Sequence, residues 1–227
     1  MIVHLPGILT AEQVRHFNAT LAKAEWVDGR VTAGDQAAGV KNNLQAPEGA
    51  PQTKALGEII AQALAANPAF MSAAAPAKIV PPMFNRYSAG MAYGPHVDSA
   101  IRFSRITGAR YRTDLSCTLF LTSPDQYDGG ELVIHDDLAA TRVKLPAGDM
   151  VLYPATSLHE VTPITRGERW AAFFWVQSMV ADGAQRRILY DIDQAATAIR
   201  AGLGEEHPTA VAVVGVYHRL MRMWAQI

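Results

Sequence analysis

The amino-acid sequence predicts an α+β protein, with a strand-rich antiparallel core between helical segments at either end. Three observations carry that expectation. Before residue 79 two stretches place apolar side chains at helical spacing; from about Ile79 to Val180 short β-prone runs alternate with turn signals; after Asp182 helical texture returns. The chain divides accordingly into 1–78, a helical segment packed on the core, 79–180, the core domain, and 181–227, a closing helical segment. Its 227 residues suffice for one sizeable domain, and 49% hydrophobic against 18% charged residues is an ordinary globular balance that argues against disorder.

In chain order, "GILTAEQVRHFNATLAKAEW" reads as the first helix. Thr10 suits its N-cap, Gln13 sits at the return position of a capping box, and Val14, Phe17 and Leu21 share one face. Residues 27–52, rich in Gly, Asp, Asn and Pro, read as a loop with one short strand at most. Lys41, Asn42, Asn43 and Gln45 form a polar cluster there, read as solvated, with substrate contact as the alternative. "TKALGEIIAQALAAN" is a second helix with Leu56, Ile59, Ile60 and Leu64 as its buried stripe, ended by Asn67 and Pro68.

The core runs are "IVPPMFNRYS", "RTDLSCTLFLTS", "GELVIHD", "TRVKLPAGDMVLYPA", "LHEVTPIT" and "RWAAFFWVQSMV", a spacing that suggests an antiparallel sandwich or barrel. "YDGGE" and "PAGD" are hairpin-like connections. "DQAATAIRAGL" and "PTAVAVVGVYHRLMRMWAQI" close the chain as two helices, the second opening at Pro208.

Several classes are disfavoured. A net charge of −1 offers no electrostatic case for nucleic acid or an anionic membrane. The single cysteine, Cys117, rules out an internal disulfide framework and reads as a core residue. Met1–Leu9 is too short for a signal peptide, and no run approaches the roughly 20 apolar residues of a membrane helix. A cytoplasmic protein is expected.

The stretch "AYGPHVDSAIR" places His96 and Asp98 two residues apart after a Gly-Pro turn signal. In extended backbone, residues i and i+2 face the same side, so both can converge on one ion. The motif is short enough to be a polar loop instead, and a metal needs a third ligand. Of the other histidines, His4, His16, His207 and His218 read as surface or packing residues, and His135 precedes two acids in a turn. His159 opens a core strand and is the best third ligand. Two histidines and a carboxylate leave one face of a metal open, the pattern of non-haem Fe(II) oxygenases. Arg169, ten residues further on, begins the apolar run "WAAFFWV" and needs an anionic partner there. Two partners remain open: the far carboxylate of a dicarboxylic cosubstrate, or an ion pair with Glu168 or Asp149.

"FNRYSAGMAYGPHVDSAIR", "RTDLSCTLFLTSPDQYDGGELVI", "VKLPAGDMVLYPATSLHEVTPITRGER" and "FFWVQSMV" together closely resemble the bacterial PKHD-type hydroxylases, Fe(II)- and 2-oxoglutarate-dependent dioxygenases related to the prolyl 4-hydroxylase catalytic domain. The resemblance runs the length of the chain and is densest from Phe84 to Ser178; Ala181 is a local departure where a more charged residue is expected. It implies a double-stranded β-helix, or jelly roll, with flanking helices. It also implies iron on His96, Asp98 and His159, Arg169 on the distal carboxylate of 2-oxoglutarate, and L-ascorbate as the reductant that keeps the iron ferrous.

Tyr87 and Tyr93 either place a phenol near 2-oxoglutarate or pack the core. Arg102, Arg112 and Asp114 either shape the substrate mouth or form surface pairs, and Gly129–Glu131 reads as a tight turn. The reaction implied is hydroxylation of a substrate with conversion of 2-oxoglutarate and O2 to succinate and CO2. The rivals are a zinc-dependent cupin-like hydrolase or isomerase, and a non-catalytic jelly-roll binding module. The kinship to iron-uptake-associated members implies a small-molecule substrate, and that to prolyl hydroxylases a peptidyl one. The apolar last helix is compatible with a homodimer.

Overall fold

The computed structural model describes residues 1–226 apart from 33, 105, 106 and 137, with only the backbone of residue 35. Asp137, the second acid after His135, and Ile227, the end of the last expected helix, therefore lie outside the described residues. Two antiparallel sheets form the core. The larger runs, in spatial order, Val3–Leu5, Met150–Pro154, Leu115–Phe120, Arg169–Ser178, Met83–Tyr87, Leu44–Gln45 and Val27–Asp28, with Pro76–Ile79 also paired to Arg169–Ser178. The smaller runs Ala140–Val143, Leu132–His135, His159–Val161, Ala92–His96 and Lys41–Asn42.

Strand alternation sorts side chains between two compartments. On Leu115–Phe120, Leu115, Cys117 and Leu119 join Phe84, Phe174 and Val176 in a core shared with the helices. That core includes Phe17 and Leu21 of the helix Ala11–Leu21, Leu56, Ile60 and Leu64 of Pro51–Ala65, and Phe70 of Pro68–Ala74. The opposite face contributes Tyr87, Phe120 and Val151 to a second cluster, with Leu132, Ile134 and Val161 of the smaller sheet. The sheets thus pack face to face while helices cover the outside of the larger one, a jelly-roll core with flanking helices.

The expected capping box forms: Thr10 Oγ1 accepts the Gln13 N–H at 3.2 Å, and Gln13 Oε1 accepts the Thr10 N–H at 2.9 Å. Asn67 and Pro68 end one helix and also start another, because the Asn67 side chain caps Pro68–Ala74 through the Phe70 N–H at 2.9 Å. The helix expected from Asp193 begins ten residues earlier, at Gly183, capped by Asp182.

Residues 27–52 depart most from expectation. Lys41–Asn42 pairs with Ala92–His96 of the smaller sheet, while Leu44–Gln45 pairs with Met83–Tyr87 of the larger. One short stretch thereby closes the same end of both sheets. Its alternation turns Lys41, Asn43 and Gln45 inward, where all three are buried, so the solvated-loop reading of this cluster does not hold.

The Gly-Pro pair also does different work from the turn it suggested. Gly94 and Pro95 lie within the strand Ala92–His96, at a register shift where His159 faces His96 but Val161 faces Tyr93. The extra residue is a β-bulge, one of the few places in a sheet that accepts a proline. A Cβ on Gly94 would sit 3.0 Å from the Val40 Cβ, so this side of the bulge has little spare room.

Arg112 and Asp114 form a clamp rather than a mouth. Arg112 Nε donates to Asp114 Oδ1 at 2.7 Å and Nη2 to Oδ2 at 3.0 Å, and the Ser178 N–H donates to Asp114 Oδ2 at 2.8 Å. Arg112 also reaches the Ser178 carbonyl and Gln226 Oε1, both at 3.0 Å, tying the far end of the chain to the core. Arg112→Ala leaves the buried Asp114 carboxylate without its cation and should lower unfolding free energy by about 2 kcal/mol. Urea denaturation checks this; a loss below roughly half that value would mean the backbone N–H alone satisfies Asp114.

Candidate active site

His96 and His159 are cross-strand partners in the smaller sheet, and Asp98 follows two residues after His96, just past the end of its strand. Their ligand atoms lie within 4.8 Å of one another, with His159 Nε2 at 3.8 Å from Asp98 Oδ2. Each imidazole is oriented from behind, since His96 Nδ1 lies 2.8 Å from the Gly94 carbonyl and His159 Nδ1 lies 2.9 Å from the Ser157 carbonyl. A carbonyl oxygen only accepts, so both Nδ1 atoms carry the proton and both Nε2 lone pairs face the cluster centre. Burial and the neighbouring His159 push the His96 pKa down to about 4, which keeps that ring neutral and able to ligate. Asp98 is held from the larger sheet by Ser116, whose hydroxyl donates to Oδ2 at 2.6 Å.

These side chains line one cavity together with Arg169, which is only 1% exposed. Arg169, Ala171, Phe173 and Trp175 lie on the same face of their strand. Neither anticipated carboxylate takes the guanidinium: Glu168 bonds Ser88 and Trp170, and Asp149 bonds His4 and the Gly7 N–H. Arg169 Nε and Nη1 have no hydrogen-bond partner, and its charge is flanked by the rings of Tyr87 and Phe120, at 5.5 and 5.0 Å, with the Tyr127 phenol also within its field. The Asn43 amide and Asn85 Oδ1, which line the same cavity, are unpartnered too. Buried groups of this kind are costly unless a ligand satisfies them.

The turn Gly129–Gly130 lies against this arginine. Gly130 has φ +64°, and a Cβ there would meet Ile164 Cδ1 at 2.3 Å and Arg169 Cδ at 3.1 Å, so only glycine lets the turn pack behind the guanidinium. Tyr87 is the cross-strand partner of Arg169; its burial pushes the phenol pKa up to about 12, opposed by the arginine's charge. Tyr93 stacks on His96, ring centroids 3.6 Å apart and planes at 13°, and so packs directly on a cluster residue.

The remaining histidines lie elsewhere. His4 pairs with Asp149, His135 Nε2 lies 3.2 Å from Glu160, and His207 caps the last helix. The motif reading passed over Ser116, because a serine in an apolar strand carries no local signal, and Trp175, which looked like core. Lys41 and Asn43 were noticed but placed in solvent. Among the described residues no other group of three or more His, Cys, Asp or Glu side chains has a metal-binding arrangement.

Residues 82–177 match the model of the 2OG-Fe(II) oxygenase superfamily, and residues 183–226 match the PKHD-type hydroxylase C-terminal domain. The chain is 53% identical over 227 residues to a PKHD-type hydroxylase of Gluconobacter oxydans, and 52% identical over 227 residues to one of Methylobacterium nodulans, with 100% of each chain covered in both cases. In fold it is similar to a Pseudomonas putida prolyl-4-hydroxylase (22% identity, TM-score 0.54, covering 78% of this chain and 92% of that one). It is likewise similar to HygX from Streptomyces hygroscopicus, a structure with nickel and 2-oxoglutarate bound (14% identity, TM-score 0.54, covering 78% and 82%). Matched end to end with its relatives and built on the same two-sheet core, the chain belongs to the PKHD-type hydroxylases, enzymes of the 2OG-Fe(II) oxygenase superfamily.

Proposed function

We propose that the chain hydroxylates a C–H bond of a small-molecule or peptidyl substrate, using Fe(II), 2-oxoglutarate and O2 and releasing succinate and CO2. The observation that carries this reading is the pairing, in one cavity, of the three-ligand cluster with a buried, unpartnered arginine. The donor set fits ferrous iron, with two neutral imidazoles and one carboxylate converging from one side. The dicarboxylate fits the far end, because the buried Arg169 guanidinium keeps donors without a partner and no carboxylate of the described residues pairs with it. L-ascorbate belongs to the proposal as the external reductant of the iron. The catalytic unit is residues 79–180, with 1–78 and 181–227 packed around it. The cytoplasm is its proposed location, consistent with a single buried cysteine. No helix among the described residues is long and apolar enough to cross a membrane.

When bound, iron and 2-oxoglutarate together supply the oxidising chemistry. The chain's own residues set geometry and exclude water. Carbonyls 94 and 157 fix the imidazole tautomers, Ser116 holds Asp98 through Oδ2, the oxygen that faces His159 Nε2, and Arg169 orients the cosubstrate from the opposite wall. The Tyr87 phenol stays protonated at neutral pH and can donate toward a carboxylate.

Anaerobic addition of Fe(II) and 2-oxoglutarate to the metal-free protein should produce the weak visible charge-transfer band of the chelate. His96→Ala, Asp98→Ala and His159→Ala should abolish both the band and turnover, and a band that survives them would place the metal elsewhere. Arg169→Ala should raise the 2-oxoglutarate requirement roughly 30-fold, the equivalent of about 2 kcal/mol for a truncated buried charge pair; an unchanged requirement would remove the arginine from the cosubstrate site. Ser116→Ala should weaken metal binding about tenfold in a Co(II) titration while leaving the 2-oxoglutarate dependence of the metal-saturated protein unaltered, and full retention of metal affinity would refute its orienting role.

A further inference from the structure

Two further cations line the same cavity, and the cosubstrate reading leaves both unused. Lys41 is 6% exposed, yet its ammonium meets only neutral acceptors: Thr32 Oγ1 at 3.1 Å and Gln45 Oε1 at 3.4 Å, with the Tyr93 and Phe173 rings at 5.2 and 5.6 Å. Arg102 places its guanidinium carbon over Trp175, 4.2 Å from the ring centroid, and donates to the Thr32 carbonyl at 3.2 Å. Thr32 therefore brackets the pair, taking one cation on its hydroxyl and the other on its backbone. Among the described residues neither cation forms an ion pair with a carboxylate.

The charge balance of the cavity shows what is missing. The 2-oxoglutarate dianion offsets the ferrous ion, and Asp98, the only carboxylate among the described lining residues, offsets Arg169. Among the described residues Lys41 and Arg102 have no carboxylate in direct contact, with Asp98 and Glu48 acting on them at longer range, and burial and then Arg102 lower the Lys41 pKa to about 8. A buried ammonium and a half-buried guanidinium bracketing one threonine cost free energy that an incoming anion recovers.

We propose that Lys41 and Arg102 form the primary-substrate subsite, and that the substrate presents an anionic oxygen group, a carboxylate or a phosphate, to this pair. The inference rests on the cosubstrate reading above and adds the substrate's chemical class to it. Lys41 also shares the cavity with the cluster and contacts the Tyr93 ring that stacks on His96, so the anionic group binds beside the reactive centre rather than at a remote surface.

The test uses the full-length protein loaded with Zn(II) and 2-oxoglutarate, which fills the cosubstrate site without turnover. Sodium acetate, inorganic phosphate and neutral acetamide are titrated at constant ionic strength, read by tryptophan emission, with Trp175→Phe identifying the reporter beneath Arg102. The expected result is a saturable change with acetate or phosphate, none with acetamide, and at least tenfold weaker anion binding in Lys41→Gln and Arg102→Gln. Which anion binds tighter names the group. Arg102→Lys, which keeps the charge, should restore part of the response and guards against misfolding of the Gln variant. Equilibrium dialysis of labelled 2-oxoglutarate should differ less than twofold among these proteins.

No saturable anion response, an equal response to acetamide, or unaltered affinity in both Gln variants overturns the proposal. So does a collapse of 2-oxoglutarate affinity in Lys41→Gln, which would assign that lysine to the cosubstrate. If wild-type protein fails to bind 2-oxoglutarate, the cosubstrate reading fails instead, and the same anion titration on metal-free protein still decides the role of Lys41 and Arg102.

Discussion

A single bulged strand pair sets the position of everything else in the cavity. His96 and His159 face each other across neighbouring strands of the smaller sheet, and the inserted residue at Gly94–Pro95 is what turns His96 toward its partner. The bulge also brings the Gly94 carbonyl under the His96 ring, so one backbone irregularity supplies both the aim and the tautomer. Proline contributes by what it lacks: with no N–H, it leaves no unpaired donor where the ladder is interrupted. An unbulged strand in the same register would send His96 to the opposite face of the sheet.

The larger sheet meets this arrangement with a strand of two different faces. Along Arg169–Ser178 one face is apolar and seals the helix layer through Ala172, Phe174 and Val176. The other carries the guanidinium at its start and aromatic rings at its end, separated by the small Ala171. Charge at one end and flat rings at the other suit a small dianion next to a bulkier molecule. The strand is buried on both faces, and such strands usually read as continuous hydrophobic runs. Its first residue is the exception, a charge kept where burial makes it expensive, and such exceptions in a consistent core mark function.

Legibility in the sequence followed the range of the interactions concerned. The Thr10–Gln13 capping box, the Leu56–Ile60–Leu64 stripe and the succession of core strands are local patterns, and the residues alone showed them. Ile59, assigned to the same stripe, is only partly buried and packs at its margin. Residues 27–52 were opaque, because two-residue strands are too short to display a period and owe their existence to partners some 40 to 50 residues away. The burial of Lys41 was lost with them, since nothing near a lysine between Val40 and two asparagines announces an enclosed site. The His-x-Asp spacing was readable as a chelating geometry, and His159 stood out by its place at the head of a strand. Ser116 was silent, as its distinguishing contact is with a residue 18 positions earlier, just past the end of a strand of the other sheet.

The edge strand Val3–Leu5 has a consequence for how the molecule comes into being. It pairs with Met150–Pro154, and the His4–Asp149 contact beside it spans 145 residues of chain. During synthesis at about 5–20 residues per second, the first strand therefore waits on the order of ten seconds for its partner. Closure of the larger sheet is a late event dominated by non-local pairing, and chains of this kind fold in milliseconds to seconds rather than microseconds. The early helices, whose contacts are local, can form while the amino-terminal strand is still an exposed edge. That interval, more than any weakness of the finished core, is when the nascent chain is most open to pairing with the wrong neighbour.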